Sequence, residues 1–167
     1  GRSNLDEVVG GVMIAARDTA EERKLPYMGA LVANIALLAS IDLSTANLVI
    51  GMAERLSWPQ YVLLSIVSQK DTHPLPGSSL YGGVSGWSAW SPHRSLHELK
   101  TEDVGLIHAP MRHGDRGQPI WPTELSASEV TQAGSLLAQM LDLDQIPEVE
   151  LDATLANFAS EVHDPSR

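Results

Sequence analysis

Apolar residues recur at helical spacing through much of this chain, most densely between Leu25 and Val67. The segment from Leu25 to about Ser40 is apolar on every side, which predicts a helix buried among others. Asn34 interrupts this segment, and we expect its amide to bond to a neighbouring loop because buried polar groups in proteins are almost always paired. The pattern therefore predicts a central helix around which a helical domain is built.

Three further segments near this helix also have helical periodicity and recognisable caps. A first helix is predicted from Leu5 to about Thr19, with an apolar stripe of Leu5, Val8, Val9, Val12, Met13 and Ala16. Asp42 or Ser44 caps a third helix, whose stripe consists of Ala46, Val49, Ile50 and Ala53, widened by Leu48 and Met52. Ser57 and Gln60 have the spacing of a capping box and open a fourth helix. Residues 1–70 are therefore predicted to form a four-helix bundle.

Residues 71–91 have a different composition, rich in glycine, proline, serine and aromatic side chains. They predict a long loop, and loops of more than about 12–15 residues inside a compact domain usually serve a function. Tyr81, Trp87 and Trp90 are the candidates for that function. In one interpretation the tryptophans fix the loop to the bundle, and in the other they bind a partner. We expect one tryptophan to be buried and one to be accessible.

Residues 92–167 return to regular structure. A helix is predicted from Pro92 to about Asp103, with Gly105 in the position of a C-terminal cap. Two short strands, Leu106 to Ala109 and Pro119 to Trp121, are expected to pair as a hairpin across a glycine-rich turn. A further helix is capped by Ser126 with Glu129, or by Thr131, and carries Leu136, Leu137, Met140 and Leu141. Pro147 opens the last helix, with Val149, Leu151, Leu155 and Phe158 as its apolar positions.

The order of elements in residues 58–142 is helix, long loop, helix, hairpin, helix, which resembles a winged-helix module with an enlarged insertion. The predicted fold class is thus mainly α, with an N-terminal four-helix bundle followed by a winged-helix-like module with a short β-hairpin. Its parts are the bundle (1–70), the loop (71–91) and the C-terminal part (92–167). We expect all three to pack as one compact unit.

Charge and composition restrict the possible partners. The net charge is −10, and residues 118–167 carry one basic and nine acidic side chains. Such a chain is a poor default partner for nucleic acid, whose binding depends on Lys and Arg. Cysteine is absent, which excludes disulfides and thiolate chemistry. No signal peptide is visible and the longest apolar run, Met28 to Ala39, is shorter than the ~20 residues that span a bilayer. We expect a cytoplasmic location and no membrane contact within these 167 residues.

Two histidines on the predicted helix after Pro92 form the strongest metal-binding pattern. His93 and His97 are four residues apart and could face one ion, with Asp103, His108 or His113 as a third ligand. The glutamate of a metalloprotease helix is missing, so an exposed helix face is the preferred interpretation. Hydrolase elbows and phosphate-binding glycine motifs are also missing from the sequence. We therefore predict no catalytic residue, no metal and no cofactor.

A winged-helix DNA-binding regulator is the alternative function. Its candidate contacts are Arg94 and Lys100 on the helix and Arg112 and Arg116 on the hairpin. The acidic side chains among them are Glu98, Glu102, Asp103 and Asp115. These offset the positive charge that phosphate contacts need, so nucleic acid is the less favoured partner.

A run from Ala20 to Asn34, reading AEERKLPYMGALVAN, resembles a helix of bacterial Abi-alpha-type domains, which are associated with abortive infection and phage defence. The segments Val104–Ile107 and Val130–Gly134 resemble the C-terminal half of that family. The resemblance implies a bacterial phage-defence protein and transfers no catalytic residue. Together with the acidic balance and the aromatic loop, it predicts a non-enzymatic interaction module. We expect this module to bind a protein partner or to self-associate as a homodimer.

Overall fold

The computed structural model describes residues 22–38, 41–72, 75, 92–101, 103–120 and 125–160. The predicted first helix, Leu5 to Thr19, lies outside these residues, and so does the loop 71–91 apart from Asp71, Thr72 and Leu75. Within the described residues the fold is mainly helical, with two small antiparallel strand pairs.

The described residues form six α-helices and four two-residue strands. The helices are α1 (Leu25–Leu37), α2 (Leu43–Arg55), α3 (Trp58–Ser68), α4 (Pro92–Lys100), α5 (Gln132–Met140) and α6 (Glu148–Ser160). The strands are β1 (Ile107–His108), β2 (Arg112–His113), β3 (Pro119–Ile120) and β4 (Glu129–Val130). Short 3-10 turns occupy Glu22–Lys24, Leu125–Ala127 and Leu143–Gln145. No helix in the described residues combines the length and apolar character of a bilayer-spanning helix.

The central helix is α3 and not α1, which corrects the expectation from the sequence. Every residue from Gln60 to Val67 is buried, and α3 contacts α4, α5, α6 and β4. Helix α1 buries one side only, through Tyr27, Met28, Leu31 and Ile35. The sequence misleads here because α1 is apolar all round, while only one of its sides is covered by the described residues.

Helix α2 confirms its predicted stripe and corrects its predicted width. Ala46, Val49, Ile50 and Ala53 are buried, while Leu48 is 61% exposed and Met52 is half-buried. Its cap is Asp42, whose side chain accepts a hydrogen bond from the Thr45 backbone N–H at 2.7 Å. The buried residues are three or four positions apart and therefore lie on the same side of the helix. Leu48 lies beyond the edge of that side.

The strand pairing differs from the predicted hairpin. Strand β1 pairs with β4, with Ile107 opposite Val130, and the hairpin is formed by β2 and β3, with Arg112 opposite Ile120. The predicted turn of this hairpin is present, since the Gly117 N–H donates to the Gly114 carbonyl at 2.8 Å. The two predicted strands correspond to β1 and β3, but they do not pair with each other, and β2 lies in the segment predicted as the turn. The pairing could not be predicted because it depends on contacts distant in sequence.

The β1–β4 pair is joined tightly to the start of α5. Thr131 caps α5, and its Oγ1 accepts from the Gly134 N–H at 3.0 Å and donates to the Gly105 carbonyl at 2.8 Å. The Thr131 N–H donates to the Leu106 carbonyl at 3.0 Å. Gly105 has a φ of 59° and ends the turn after α4. Helix α4 itself ends at Lys100, three residues before the predicted end.

The turn between α5 and α6 is fixed by side chains from the N-terminal helices. Asn34 Nδ2 donates to the Met140 carbonyl at 3.0 Å and to Asp142 Oδ1 at 3.1 Å. This confirms the predicted bond from Asn34 to a neighbouring loop. Ser65 Oγ, fully buried in α3, donates to the Leu143 carbonyl at 2.7 Å. Of the predicted apolar positions on α6, Leu151 is buried, whereas Val149 is 71% exposed.

One continuous core joins the two predicted parts of the chain. Its buried side chains run from Tyr27 to Leu151 and include Leu96, Leu99 and Leu106 from the C-terminal part. Fully burying a leucine contributes about 1.5–3 kcal/mol. The shared core therefore stabilises the described residues of both parts together. The four-helix-bundle and winged-helix interpretations stay predictions.

Candidate functional site

The site lies in a groove where the end of α2, the start of α3 and the end of α4 meet. Its volume is about 270 Å³. Its lining residues are Met52, Arg55, Leu56, Gln60, Glu98, Thr101, Asp103, Val104 and Leu106. The apolar side chains form its floor, since Leu56 and Leu106 are buried and Met52 and Val104 are half-buried. Charged side chains surround this floor, which gives the groove an apolar base and a polar rim.

Gln60 and Glu98 connect two walls of the groove. Gln60 Oε1 accepts from the Ser57 N–H at 2.8 Å, as the capping-box spacing predicted. Gln60 Nε2 donates to Glu98 Oε2 at 3.0 Å, and Arg94 Nε donates to Glu98 Oε1 at 2.8 Å. Both carboxylate oxygens of Glu98 thus have donors, and the amide of Gln60 is used at both ends. This arrangement fixes the orientation of the Glu98 side chain at the rim.

Lys24 holds the α2 wall in place. Its side chain is 3% exposed, and its Nζ donates to the carbonyls of Glu54 (2.9 Å) and Leu56 (2.5 Å). A cation there also favourably meets the negative end of the α2 dipole. The Tyr61 hydroxyl donates to the Ala53 carbonyl at 3.0 Å, and Lys24 Nζ lies 5.3 Å from the centre of the Tyr61 ring. Hydrogen bonds from Lys24 and Tyr61 therefore hold the last turn of α2 in place.

An aromatic cluster lies beside this wall. The Tyr27 and Trp58 ring centroids are 5.6 Å apart, and those of Trp58 and Tyr61 are 6.3 Å apart. Burial, and to a lesser extent the negative charge of Glu150, raises the pKa of Tyr27. The cluster packs α1 against the start of α3, so its role is in positioning the helices. The predicted interaction aromatics Tyr81, Trp87 and Trp90 lie outside the described residues.

The four candidate DNA contacts have different surroundings. Arg94 is paired with Glu98, and the ammonium nitrogen of Lys100 is buried. The two remaining candidates, Arg112 and Arg116, are exposed and lie on or next to the β2–β3 hairpin. Two exposed arginines supply few phosphate contacts, and affinity for nucleic acid grows with the number of such contacts.

The histidine candidates do not assemble into a metal site within the described side chains. His97 is exposed on α4, and the side chain of His93 lies outside the described set. His108 Nε2 lies 3.6 Å from Glu129 Oε2, its neighbour across the β1–β4 pair, and Lys70 lies 3.4 Å from Glu129 Oε1. Where side chains are described, no three His, Asp or Glu groups converge as metal ligands would.

Sequence reasoning identified part of the groove without recognising it as a site. The capping box placed Ser57 and Gln60 at the start of α3, and the apolar stripe included Met52. Nothing local indicated that Gln60 would reach Glu98, 38 positions away. A contact between residues this far apart in the chain leaves no signal in the sequence pattern.

Comparisons of the chain with protein-family models, with curated proteins and with solved structures found no match. The function is therefore argued from the groove and its surroundings.

Proposed function

We propose that this protein is a non-enzymatic interaction module that receives one side chain of a protein partner in the groove. The observation that carries the proposal is an apolar floor enclosed by a charged rim in about 270 Å³. Small-molecule sites usually occupy about 300–1,000 Å³. A groove at the lower limit of this range has room for a single large apolar anchor residue, the kind of contact that dominates binding between proteins.

The rim and the overall charge determine the expected chemistry of the partner. Asp103 is exposed at the rim, close to the oriented carboxylate of Glu98, and the whole chain has a net charge of −10. Opposite charge speeds association and selects between partners. We therefore expect an aromatic or large aliphatic anchor next to a Lys or Arg in the partner segment. Arg55, which also lines the groove and is exposed, can pair with an acidic residue elsewhere in the partner segment.

A peptide library displayed on phage tests this proposal directly. Selection on the immobilised protein should enrich peptides with a large apolar residue next to a basic one. Binding of an enriched synthetic peptide, measured by fluorescence anisotropy, should weaken at least tenfold when Met52 or Val104 is changed to Glu. Leu48→Glu is the matched control, because Leu48 is exposed on α2 but does not line the groove.

Two results would count against the groove. One is a selection that enriches no common anchor. The other is an enriched peptide whose affinity is unchanged in Met52→Glu and Val104→Glu. Circular dichroism of each variant distinguishes a lost contact from a lost fold.

Self-association and phage defence are the parts of the proposal that rest on the sequence. Light scattering after size exclusion, over a wide range of concentrations, measures the first, and a strict monomer would remove it. The Abi-alpha resemblance supports the second. Expression of the gene in a bacterial host challenged with phage should lower the efficiency of plating, and Met52→Glu should restore it if the groove takes part.

A further inference from the structure

The β2–β3 hairpin extends from the fold with both of its sides exposed. Residues 111–119 are exposed apart from the half-buried Gly114. Among the described elements, β2 and β3 pair with each other and have no other extensive packing partner. An isolated two-stranded hairpin is only marginally stable in water. A contact that covers one side of this hairpin would therefore stabilise it.

An anchor residue of the expected chemistry stands at the start of this hairpin. Met111, directly before β2, is 44% exposed, and Arg112 follows it with an exposed side chain. This is a large apolar residue next to a basic one, the combination expected of a partner segment for the groove. Methionine adapts its flexible side chain to irregular gaps, and both Met and Arg are enriched in protein interfaces. The hairpin therefore has the chemistry of a partner for the groove.

The charges of the hairpin and of the groove are complementary. Residues 111–120 contain two arginines and one aspartate, so this segment is net positive in a chain whose net charge is −10. The groove is lined by the carboxylates of Glu98 and of the exposed Asp103. Opposite charges on two surfaces favour their association and fix its register. The arginine next to the methionine can therefore pair with an acidic residue at the rim.

The hairpin lies close to the groove along the chain but does not fill the groove of its own chain. Met111 is not among the described residues that line the groove, whereas Leu106, five positions earlier, is one of them. Five residues of fully extended chain span at most about 18 Å. A two-fold axis between hairpin and groove would let each of two copies donate a hairpin and accept one. Closed pairs of this symmetry are the commonest homo-oligomers.

We propose that the partner of the groove is a second copy of this chain, whose hairpin places Met111 on the apolar floor while Arg112 pairs with Asp103. The two copies exchange hairpins about a two-fold axis and form a closed homodimer, in which the same contact is made twice. This inference rests on the proposed function of the groove and names its partner.

Sedimentation velocity of the full chain, over a range of concentrations, measures the association. The wild type should form dimers, and Met111→Glu should raise the dissociation constant of the dimer at least tenfold. Leu136→Glu is the matched control, because Leu136 on α5 is 48% exposed and neither lines the groove nor belongs to the hairpin. Circular dichroism should show the wild-type fold in both variants, since both side chains are exposed. A strictly monomeric wild type, or a dissociation constant that Met111→Glu leaves unchanged, would overturn the proposal.

Charge reversal tests the proposed ion pair independently. Arg112→Glu and Asp103→Arg should each weaken the dimer at least tenfold, because each change places like charges opposite one another in both contacts. The double variant should recover most of the wild-type affinity, since the pair is then present with its charges exchanged. Residues in contact show such non-additive effects, whereas the effects of distant residues add. Additive weakening in the double variant would therefore overturn the proposal.

A peptide selected on the wild-type groove distinguishes this inference from the proposed function. The peptide should dissociate the dimer because it competes with the hairpin, and it should still bind to Met111→Glu, whose groove is unchanged. A peptide that binds while the dimer stays intact would overturn the second copy as occupant and leave the proposed function standing. A dimer that Met52→Glu leaves unchanged, together with selections that yield no peptide, would overturn both. Tight retention of DNA by a monomeric chain, lost in Arg112→Ala, would assign the hairpin to nucleic acid and overturn the inference.

Discussion

Gly134 offers a sharp test of how the small strand pair is joined to α5. Its N–H bonds to Thr131 Oγ1, and its Cα faces the backbone of Leu106. A Cβ added to Gly134 would lie 2.0 Å from the Leu106 carbonyl oxygen and 3.0 Å from its carbonyl carbon. These are backbone atoms and cannot rotate away. Gly134→Ala must therefore separate α5 from β1.

The expected cost follows from opposing terms. Alanine improves helix propensity by about 1 kcal/mol relative to glycine. Overpacking costs about 1–3 kcal/mol, and weakening the bonds that Thr131 makes to Gly105 and Leu106 costs about 1 kcal/mol each. The clash and the weakened bonds together exceed the gain in propensity, so we expect Gly134→Ala to lower the free energy of unfolding by about 2–4 kcal/mol.

Gly51 provides the matched control, because it also lies inside a helix but has no atom within 4 Å of its Cβ position. Gly51→Ala should stabilise the protein by about 0.5–1 kcal/mol. Urea denaturation followed by circular dichroism measures both changes. The melting temperature should fall by about 4–16 °C in Gly134→Ala, at about 2–4 °C per kcal/mol for a chain of this size. If Gly134→Ala were as stable as the wild type, the close approach of α5 to Leu106 would be wrong.

Three further predictions concern other parts of the chain. Hydrogen bonds from the Thr45 backbone and hydroxyl lower the pKa of Asp42 from its ordinary value of 3.8. The stabilisation by this cap is therefore present above pH 3.8 and is lost as the pH falls through the pKa that Asp42 has in the folded protein. The difference in melting temperature between the wild type and Asp42→Asn should accordingly shrink in acid. If Trp87 and Trp90 bind a partner, changing both to Ala should abolish that binding with little loss of stability. If they are buried instead, truncating a tryptophan costs about 3–5 kcal/mol. A double variant that melts early and still binds normally would exclude the docking role. A gel shift at low salt should show weak retention that Arg112→Ala and Arg116→Ala remove, and tight salt-sensitive retention would instead favour the DNA-binding function.

The caps and stripes of the helices could be predicted from the sequence because their causes are local. Asp42, Ser57 with Gln60, and Thr131 each bond to backbone or side-chain groups two to four residues away. Such interactions need no knowledge of the remaining fold. The predicted starts of α2, α3 and α5 are confirmed for this reason.

Features that depend on distant contacts could not be predicted in the same way. The partner of β1 lies more than 20 residues along the chain, with the β2–β3 hairpin between them. The exposure of Leu48 and Val149 depends on which neighbours cover each helix, and apolar periodicity does not report this. The groove arises where three helices meet, so a residue such as Glu98 has no local sign of its role.

Lys24 connects the turn before α1 to the wall of the groove, and this connection leads to the last prediction. Its Nζ binds the carbonyls of Glu54 and Leu56 at the end of α2, and Leu56 lines the groove. Lys24→Met keeps a stem of similar length but removes the donor of both hydrogen bonds, which should cost about 3–6 kcal/mol because charged hydrogen bonds are worth about 1.5–3 kcal/mol each. The wall should also become less rigid, and a peptide selected on the wild-type groove should bind at least tenfold more weakly at a temperature where the variant is still folded.

Arg23→Met is the control, since Arg23 makes an exposed ion pair with Glu150 at 3.3 Å that is worth less than about 1 kcal/mol. Equal peptide affinity in Lys24→Met and the wild type would show that the groove keeps its shape without this anchor.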